Sequence, residues 1–362
     1  MSLCFNVNVN ATDISAKSAI VINGITGEVI FEKNAYERLP MASTTKIMTA
    51  LLLAEQKDLS KQICCTKEMV TVEGSSMGLL VGDLVTYNDL LYGMLLPSGN
   101  DAANTTAIAL GGSIENFVSL MNRKARLLKL NDTNYVTPSG LDADGHFTTA
   151  YDLARLASYA LKNDNFRKAS SSYTARLCYG NPPYNRTLTN HNKLLNSYDG
   201  LIGVKTGFTK KAGRCLVTAA QRDNSQIIVV TLNDGNDWSD HRNLLDFGFS
   251  KLSNVNLDFN DVQTVNVIGA SKDELKLRAD SFSCSILPEN TSKINYKINL
   301  PTFVFAPINK GDVVGTIDIR FDDDLIQSVN IVADEDAQVF SEIKKSTASI
   351  ILENFIKIIT NV

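Results

Sequence analysis

Three short motifs with hydroxyl, amine and amide side chains lie in order along the chain: Ser43-Thr44-Thr45-Lys46, Ser98-Gly99-Asn100 and Lys205-Thr206-Gly207. A serine hydroxyl attacks a carbonyl carbon efficiently only when a neighbouring base takes its proton. A lysine amine can be that base when burial or a nearby cation lowers its pKa. Any one motif is common by chance, whereas the ordered set predicts an acyl-transfer site.

The first motif lies at the start of a predicted helix over residues 44–56, entered through Pro40. Residues three apart on a helix share one face, so the Ser43 hydroxyl and the Lys46 amine are expected to meet. Ser43 is then the candidate nucleophile and Lys46 its base. An isolated Ser-x-x-Lys is more often a helix-capping serine followed by an exposed lysine, and only the other motifs favour catalysis.

The second motif follows an apolar run that ends at Pro97, so it is predicted to form a tight connection between two helices. Asp101 is predicted to cap the N-terminus of the second helix. Ser98 is predicted to relay a proton between Lys46 and the leaving amine, and Asn100 to hold an amide of the substrate.

The third motif lies in the first of three predicted strands, which span residues 201–209, 215–220 and 227–232. Gly207 has no side chain, so a substrate backbone can lie close to this strand. Lys205 is predicted to attract a substrate carboxylate and to lower the pKa of Lys46. A backbone N–H just after Gly207, together with that of Ser43, is predicted to form an oxyanion hole.

The segments around these motifs resemble the low-molecular-mass penicillin-binding proteins of the D-alanyl-D-alanine carboxypeptidase type. The similar segments are residues 40–50, 74–77, 90–103, 137–142 and 203–217. The resemblance implies a serine enzyme that removes the terminal D-alanine from peptidoglycan stem peptides ending in D-Ala-D-Ala. It also implies an acyl-enzyme intermediate and covalent capture by β-lactam antibiotics.

The resemblance assigns roles to matching positions. Catalysis falls to Ser43, Lys46, Ser98 and Asn100. Substrate binding falls to the third-motif strand and to a histidine that precedes it: Lys205, Thr206, Gly207, Phe208, Thr209 and His191. The Phe208 N–H is the implied partner of the Ser43 N–H in the oxyanion hole.

Some relatives also carry a downstream arginine that meets the substrate carboxylate. Arg214 and Arg242 are the candidates for that role in this sequence.

Composition excludes several other classes of protein. The chain has 362 residues and a net charge of −4, so a nucleic-acid partner finds no electrostatic support. The six cysteines and three histidines show no metal-ligand spacing, and neither a metal nor a cofactor is expected. No apolar run is long enough to span a membrane as a helix. No secretory signal peptide is recognisable, so an extracytoplasmic location in the cell envelope, peripheral to the outer face of the cytoplasmic membrane, is expected from the resemblance alone.

The pattern of predicted elements divides the chain into three parts. Residues 1–255 are predicted to form an α+β catalytic domain of the β-lactamase/transpeptidase type, with a mixed sheet covered by helices. Residues 256–343 are predicted to form a small all-β domain. Residues 344–362 are predicted to form an amphipathic helix. Two interpretations of this helix stay open: docking on the β domain, and anchoring in the plane of a membrane surface.

Four alternative functions fit parts of the pattern. A β-lactamase of the same fold needs a deacylating base, yet residues 142–186 contain no glutamate. An esterase of the Ser-x-x-Lys type usually carries a tyrosine motif where this chain has Ser-Gly-Asn. A transpeptidase would join stem peptides instead of hydrolysing them. A non-catalytic cell-wall binding protein would not need the complete set of Ser43, Lys46, Ser98 and Lys205.

Overall fold

The computed structural model describes residues 14–259 and 262–339, together with Ile356. The chain divides into two compact units. The first comprises the described residues up to Val255 and the segment Cys284–Thr291, and the second comprises Asn256–Ser283 and the described residues from Ser292 onward. The sequence-based division assigns residues 284–291 to the β domain, whereas this segment packs with the first unit. Apart from Ile356, the predicted C-terminal amphipathic helix lies outside the described residues.

The first unit alternates strands and helices along the chain. Its helices are α1 (Lys46–Ala54), α2 (Lys67–Val70), α3 (Tyr87–Leu95), α4 (Asn100–Gly111), α5 (Ile114–Leu127), α6 (Ala150–Ala160), α7 (Asp164–Ser170) and α8 (Asp237–Lys251). Its strands up to α8 are β1 (Ser18–Asn23), β2 (Val29–Lys33), β3 (Gln62–Cys64), β4 (Leu84–Thr86), β5 (Thr174–Gly180), β6 (Pro183–Thr189), β7 (Leu201–Thr209), β8 (Gly213–Arg222) and β9 (Ser225–Leu232). The helix predicted over residues 44–56 is therefore shorter, and a 3₁₀ turn, Ala42–Thr45, precedes it.

A five-stranded sheet in the order β2-β1-β9-β8-β7 forms the centre of this unit, and its pairings are antiparallel. Alternate side chains of β1 point to opposite faces of the sheet. Ile20 and Ile22 join the main core, which contains residues of α1 and α3 to α7. Val21 packs on the other face with Leu244 and Leu245 of α8. Helices thus cover both faces, and the predicted α+β arrangement is confirmed.

A hairpin formed by β5 and β6 was not predicted from the sequence. β5 alternates between exposed residues and the partly or fully buried Ala175, Leu177 and Tyr179, whereas β6 is mostly exposed and polar and gives no matching pattern. The hairpin is anchored by the buried Tyr179 hydroxyl, which donates a hydrogen bond of 2.8 Å to the carbonyl of Met77. This contact ties the hairpin to the loop that precedes the second motif.

The second unit is built on a six-stranded sheet in the order β14-β16-β17-β12-β11-β15. The strands from residue 253 onward are β10 (Ser253–Leu257), β11 (Thr264–Ile268), β12 (Glu274–Ala279), β13 (Phe282–Ile286), β14 (Ile294–Asn299), β15 (Phe303–Phe305), β16 (Val313–Phe321) and β17 (Asp324–Ala333). β11 alternates between exposed and buried residues, as expected for a sheet with one face on a core. The predicted all-β character of this region is confirmed. Within the described part of the chain, no helix is long and apolar enough to cross a membrane.

We predict that His241 makes the free energy of unfolding fall with decreasing pH. The ring is fully buried between Thr218 and Thr231, with ring nitrogens 2.7 and 2.9 Å from their hydroxyls. Burial lowers the pKa of His241 from 6.5 to about 3. Below pH 6.5 the His241 ring is therefore protonated in the unfolded chain but not in the native state. The free energy of unfolding then falls by roughly 1.4 kcal/mol for each unit by which the pH decreases.

Urea unfolding of wild type and His241→Gln between pH 6.5 and pH 4 measures this slope, whatever stability the variant loses overall. The slope should become shallower by about one proton in His241→Gln. His191→Gln, which removes an exposed histidine, is the control and should change the slope less. Equal slopes in wild type and His241→Gln would contradict the prediction.

Candidate active site

The 3₁₀ turn Ala42–Thr45 carries Ser43, and α1 begins at Lys46. The turn and the first turn of the helix together place the two side chains on one side. Lys46 Nζ lies 3.1 Å from Ser43 Oγ. Lys46 is completely buried, whereas Ser43 retains partial exposure. A buried amine and a reachable hydroxyl are what a lysine-activated nucleophile requires.

Two carbonyl oxygens hold the Lys46 amine in place. Nζ lies 2.7 Å from Asn100 Oδ1 and 2.7 Å from the backbone oxygen of Ser139. Because carbonyl oxygens only accept hydrogen bonds, they can take the two N–H bonds of a neutral amine, whose lone pair then faces Ser43 Oγ. Burial lowers the pKa of Lys46 well below its usual value, and the charge of Lys205 lowers it further, against a weaker opposing effect of Asp101.

The amide of Asn100 is engaged at both ends. Its oxygen accepts from Lys46, and its nitrogen donates to the carbonyl of Glu73 at 2.6 Å. The backbone N–H of Asn100 also donates to the carbonyl of Ser75 at 2.7 Å. Sequence reasoning predicted that this amide holds the substrate, whereas in the structure it orients the base and joins it to the 73–75 loop.

Asp101 does not cap α4, so that prediction is wrong. Gly99 is the N-cap residue, and Asp101 lies inside the first turn, fully buried. Its carboxylate accepts a hydrogen bond from the Ser76 hydroxyl at 2.5 Å. It also accepts hydrogen bonds from the backbone N–H groups of residues 77, 78 and 79 at 2.9 to 3.0 Å. Asp101 therefore fastens the 76–79 loop beside the second motif.

Ser98 lies between α3 and α4 with a left-handed backbone, at a φ of 62°. The following N–H, from Gly99, donates to the carbonyl of Gly93 at 2.8 Å and closes the connection between the helices. Non-glycine residues adopt this conformation rarely, and active sites are among the places where they occur. The Ser98 side chain is buried, and its hydroxyl forms no hydrogen bond within the described residues.

Lys205 lies on β7 with its side chain almost fully buried. Its Nζ donates to the carbonyl of Thr206 at 2.8 Å. Burial lowers the pKa of Lys205 to about 7. A substrate carboxylate beside this amine would favour its protonated form.

Gly207 allows β7 to approach the backbone of the Ala42–Thr45 turn closely. A Cβ atom at this position would lie 3.1 Å from the backbone nitrogens of both Ser43 and Thr44, a tight approach. Sequence reasoning connected Gly207 with a close substrate backbone. In the structure, the missing side chain makes room for the turn that carries Ser43.

The remaining predicted substrate residues differ in their surroundings. The Phe208 side chain is 64% exposed, so only its backbone belongs to the strand that borders the site. The Thr209 hydroxyl donates to Asp142 at 2.9 Å and accepts from the Ala212 N–H at 3.0 Å. Thr209 is therefore occupied in holding the β7–β8 turn.

His191 is exposed, and its backbone N–H donates to the carbonyl of Leu96 at 3.2 Å, near the second motif. Partial desolvation and the positive charge of Lys205 lower its pKa. The structure thus brings His191 into the electrostatic neighbourhood of Lys205.

The two candidate arginines lie in different places. Arg214 pairs with Phe208 across β7 and β8, and its Nε lies 3.0 Å from the carboxylate of Asp237. Arg242 donates to the carbonyl of Ser197 at 2.9 Å. Arg214 is therefore the arginine on the strand next to the third motif.

Comparison with known protein families agrees with the resemblance found in the sequence motifs. The D-alanyl-D-alanine carboxypeptidase family matches residues 6–236. The chain belongs to this family. The C-terminal domain of penicillin-binding protein 5 matches residues 259–338. The family, the fold class and the serine D-alanyl-D-alanine carboxypeptidase activity predicted from the sequence are confirmed.

Alignments with individual relatives extend over most of this chain. D-alanyl-D-alanine carboxypeptidase DacF of Bacillus subtilis is 34% identical over 336 residues, which cover 89% of this chain and 85% of DacF. The crystal structure of the Streptomyces K15 DD-transpeptidase has 33% identity and a TM-score of 0.63, and the match covers 66% of this chain and 98% of that one. Penicillin-binding protein 5 of Haemophilus influenzae, at 24% identity, shares the fold with a TM-score of 0.65 over 90% of this chain and 98% of its own.

We predict that Lys205→Gln shifts the acid limb of the acylation rate to higher pH. Lys46 acts as a base only when neutral, so the rate rises as the pH passes its pKa. Removing the neighbouring positive charge raises that pKa. Stopped-flow acylation by a chromogenic penicillin across pH measures the shift. Lys205→Arg keeps the charge and is the matched control. An acid limb that stays at the wild-type position in Lys205→Gln would contradict the assignment of this charge effect.

Proposed function

We propose that Ser43 is the nucleophile with which this carboxypeptidase removes the terminal D-alanine from peptidoglycan stem peptides. The observation that supports this most directly is the 3.1 Å separation of Ser43 Oγ from Lys46 Nζ, a fully buried amine with no carboxylate among its hydrogen-bond partners in the described residues. This arrangement favours the neutral amine that proton abstraction needs.

In the first step, Ser43 Oγ attacks the carbonyl carbon of the penultimate D-alanine, and its proton passes to Lys46 Nζ. The amide of Asn100 and the carbonyl of Ser139 hold the amine in line with the hydroxyl throughout. The backbone N–H groups of Ser43 and Phe208 stabilise the oxyanion of the tetrahedral intermediate.

Collapse of the intermediate breaks the peptide bond and releases D-alanine. The departing nitrogen needs a proton, and Lys46 holds the one taken from Ser43. Ser98 is proposed to carry it across, since this residue is largely buried in the second motif and its hydroxyl makes no hydrogen bond within the described residues. Water then hydrolyses the ester on Ser43 and restores the enzyme.

The substrate carboxylate is proposed to bind at Lys205. This side chain is buried, its pKa of about 7 allows protonation near neutral pH, and its charge is felt by His191. A carboxylate desolvated beside a protonated amine gains a charge-assisted hydrogen bond. Thr206 and Gly207 line the strand along which the end of the peptide lies.

β-Lactam antibiotics are proposed to acylate the same hydroxyl, because their strained amide presents a carbonyl to Ser43 in the same position. Transpeptidation is the second candidate reaction. The Streptomyces K15 relative supports it, because that protein carries both the name DD-transpeptidase and the name D-alanyl-D-alanine carboxypeptidase. An amine in place of water at the acyl-enzyme would give this outcome.

We expect a penicillin with a fluorescent group to label the protein covalently and Ser43→Ala to abolish the label. Ser43→Ala should also reduce D-alanine release from a D-Ala-D-Ala peptide by at least about 10⁴-fold, because a catalytic unit without its nucleophile retains only binding effects. Release of free D-alanine measures hydrolysis, and adding an acceptor amine measures transpeptidation. A label that survives in Ser43→Ala would overturn the assignment of the nucleophile.

The enzyme is proposed to act outside the cytoplasm, at the outer face of the cytoplasmic membrane. In residues 344–362, apolar side chains recur at helical spacing opposite polar ones, which favours an in-plane anchor. We expect the full chain to sediment with anionic lipid vesicles and a chain ending at residue 343 to remain in the supernatant. Equal sedimentation of the two chains would rule this anchor out.

A further inference from the structure

The peptide bond between Ala42 and Ser43 has two functional edges. The Ala42 carbonyl and the Ser43 N–H lie on opposite sides of one rigid plane, so a group that holds the carbonyl also aims the N–H. Ala42 adopts a left-handed backbone with a φ of 48°, which is uncommon for a residue with a side chain. Such a conformation persists only where its surroundings over-determine it.

Two contacts hold this carbonyl. The Thr45 hydroxyl donates to it at 2.8 Å. Gly140 also packs against the carbonyl, because a Cβ atom at Gly140 would lie only 1.9 Å from the Ala42 oxygen. Thr45 is completely buried, so its hydroxyl has no water to exchange with.

A buried histidine sets the direction of the Thr45 hydrogen bond. His146 Nδ1 lies 2.9 Å from the backbone nitrogen of Val136, and Nε2 lies 2.8 Å from Thr45 Oγ1. Because a backbone N–H only donates, Nδ1 carries no proton and the neutral ring carries its proton on Nε2. Nε2–H therefore donates to Thr45 Oγ1, and the single hydroxyl proton of Thr45 goes to the Ala42 carbonyl.

The neutral ring is consistent with its surroundings. His146 is buried, with the ring of Tyr135 at 6.0 Å, and burial lowers its pKa to about 4 against the weaker pull of Asp142. The sequence reasoning above gave His146 no role.

The same chain segment also reaches the base. Val136 donates to His146, and three residues later the carbonyl of Ser139 accepts from Lys46 Nζ at 2.7 Å. Between them, the carbonyl of Pro138 accepts from the Thr49 hydroxyl on α1 at 2.6 Å. One segment thus braces the nucleophile turn through His146 and the base through Ser139.

We propose that His146 is a positioning residue for the oxyanion hole. It acts through the Thr45 hydroxyl, which fixes the plane of the Ala42–Ser43 peptide and so aims the Ser43 N–H at the developing oxyanion. This inference rests on the proposed role of Ser43. Because an oxyanion donor contributes more in the transition state than in the ground state, loss of the relay should lower kcat and leave KM nearly unchanged.

Thr45 offers a matched pair of variants. Thr45→Val keeps the shape and removes the hydroxyl, whereas Thr45→Ser keeps the hydroxyl. We expect Thr45→Val to lower kcat for D-alanine release at least about tenfold. The affinity for a peptidyl boronic acid that forms a tetrahedral adduct with Ser43 should fall by a similar factor. Thr45→Ser should restore both. Thermal unfolding of each variant reports on stability separately.

His146 offers a second pair. The amide nitrogen of a Gln can take the place of Nε2 and donate to Thr45, whereas an Asn reaches only the Val136 N–H. We expect His146→Gln to retain kcat better than His146→Asn, although each loses one contact of the ring. This pair decides the question if the Thr45 variants fail to fold.

Equal kcat in Thr45→Val and Thr45→Ser, or in His146→Gln and His146→Asn, would overturn the relay. Losses in kcat that simply follow losses in thermal stability would do the same. Ser43→Ala separates this result from a failure of the proposed function. If Ser43→Ala is inactive and Thr45→Val is as fast as wild type, only the relay is wrong.

Discussion

The site depends on excluding water from the amine of Lys46. Lys46 is buried without a carboxylate to pair with among the described residues, so its ammonium form is disfavoured by desolvation and its neutral form is favoured. A buried polar group must still be hydrogen-bonded, and two carbonyl acceptors satisfy its N–H bonds without stabilising the charge as a carboxylate would. Those acceptors come from the second motif, through Asn100, and from the segment that ends at Ser139. The requirement for a satisfied but neutral amine therefore explains why distant parts of the chain have to converge on α1.

Close backbone contact is the second constraint, and it follows from the first. An amine stays dry only if the chain closes around it, and two glycines permit that closure. Gly207 lets β7 approach the backbone of Ser43, and Gly140 lets the loop after Ser139 approach the carbonyl of Ala42. The two approaches lie on either side of the nucleophile turn. A side chain at either glycine would push the strand or the loop away and admit water to Lys46.

Sequence reasoning gave the order of the motifs, the strands β7 to β9 and the pairing of Ser43 with Lys46, because these depend on local spacing and apolar patterning. It failed where the partner is distant in the chain. Asp101 has the residue type and position of a helix cap, yet its carboxylate accepts from the 76–79 loop, whose position no local pattern reveals. No local pattern marks His146 either, since its two partners are Val136 in a neighbouring segment and Thr45 in the 3₁₀ turn before α1. In the β5–β6 hairpin only β5 alternates between exposed and buried residues, and the mostly exposed, polar β6 gives no matching signal.

The dry amine also bears on what happens after acylation. A carboxylate placed next to Lys46 would hold it as the ammonium ion and would itself become the stronger candidate for activating water. Within the described residues no carboxylate hydrogen-bonds to Lys46, and the nearest acidic influence, Asp101, has its oxygens engaged by the 76–79 loop. In the proposed mechanism, the same neutral amine is then the group left to activate water after acylation. A stem peptide leaves room for water once D-alanine has departed, whereas the ring-opened β-lactam stays attached in place of that leaving group. If Lys46 is the base for Ser43, as proposed, the absence of a carboxylate bonded to it in the described residues favours turnover of peptides over turnover of β-lactams.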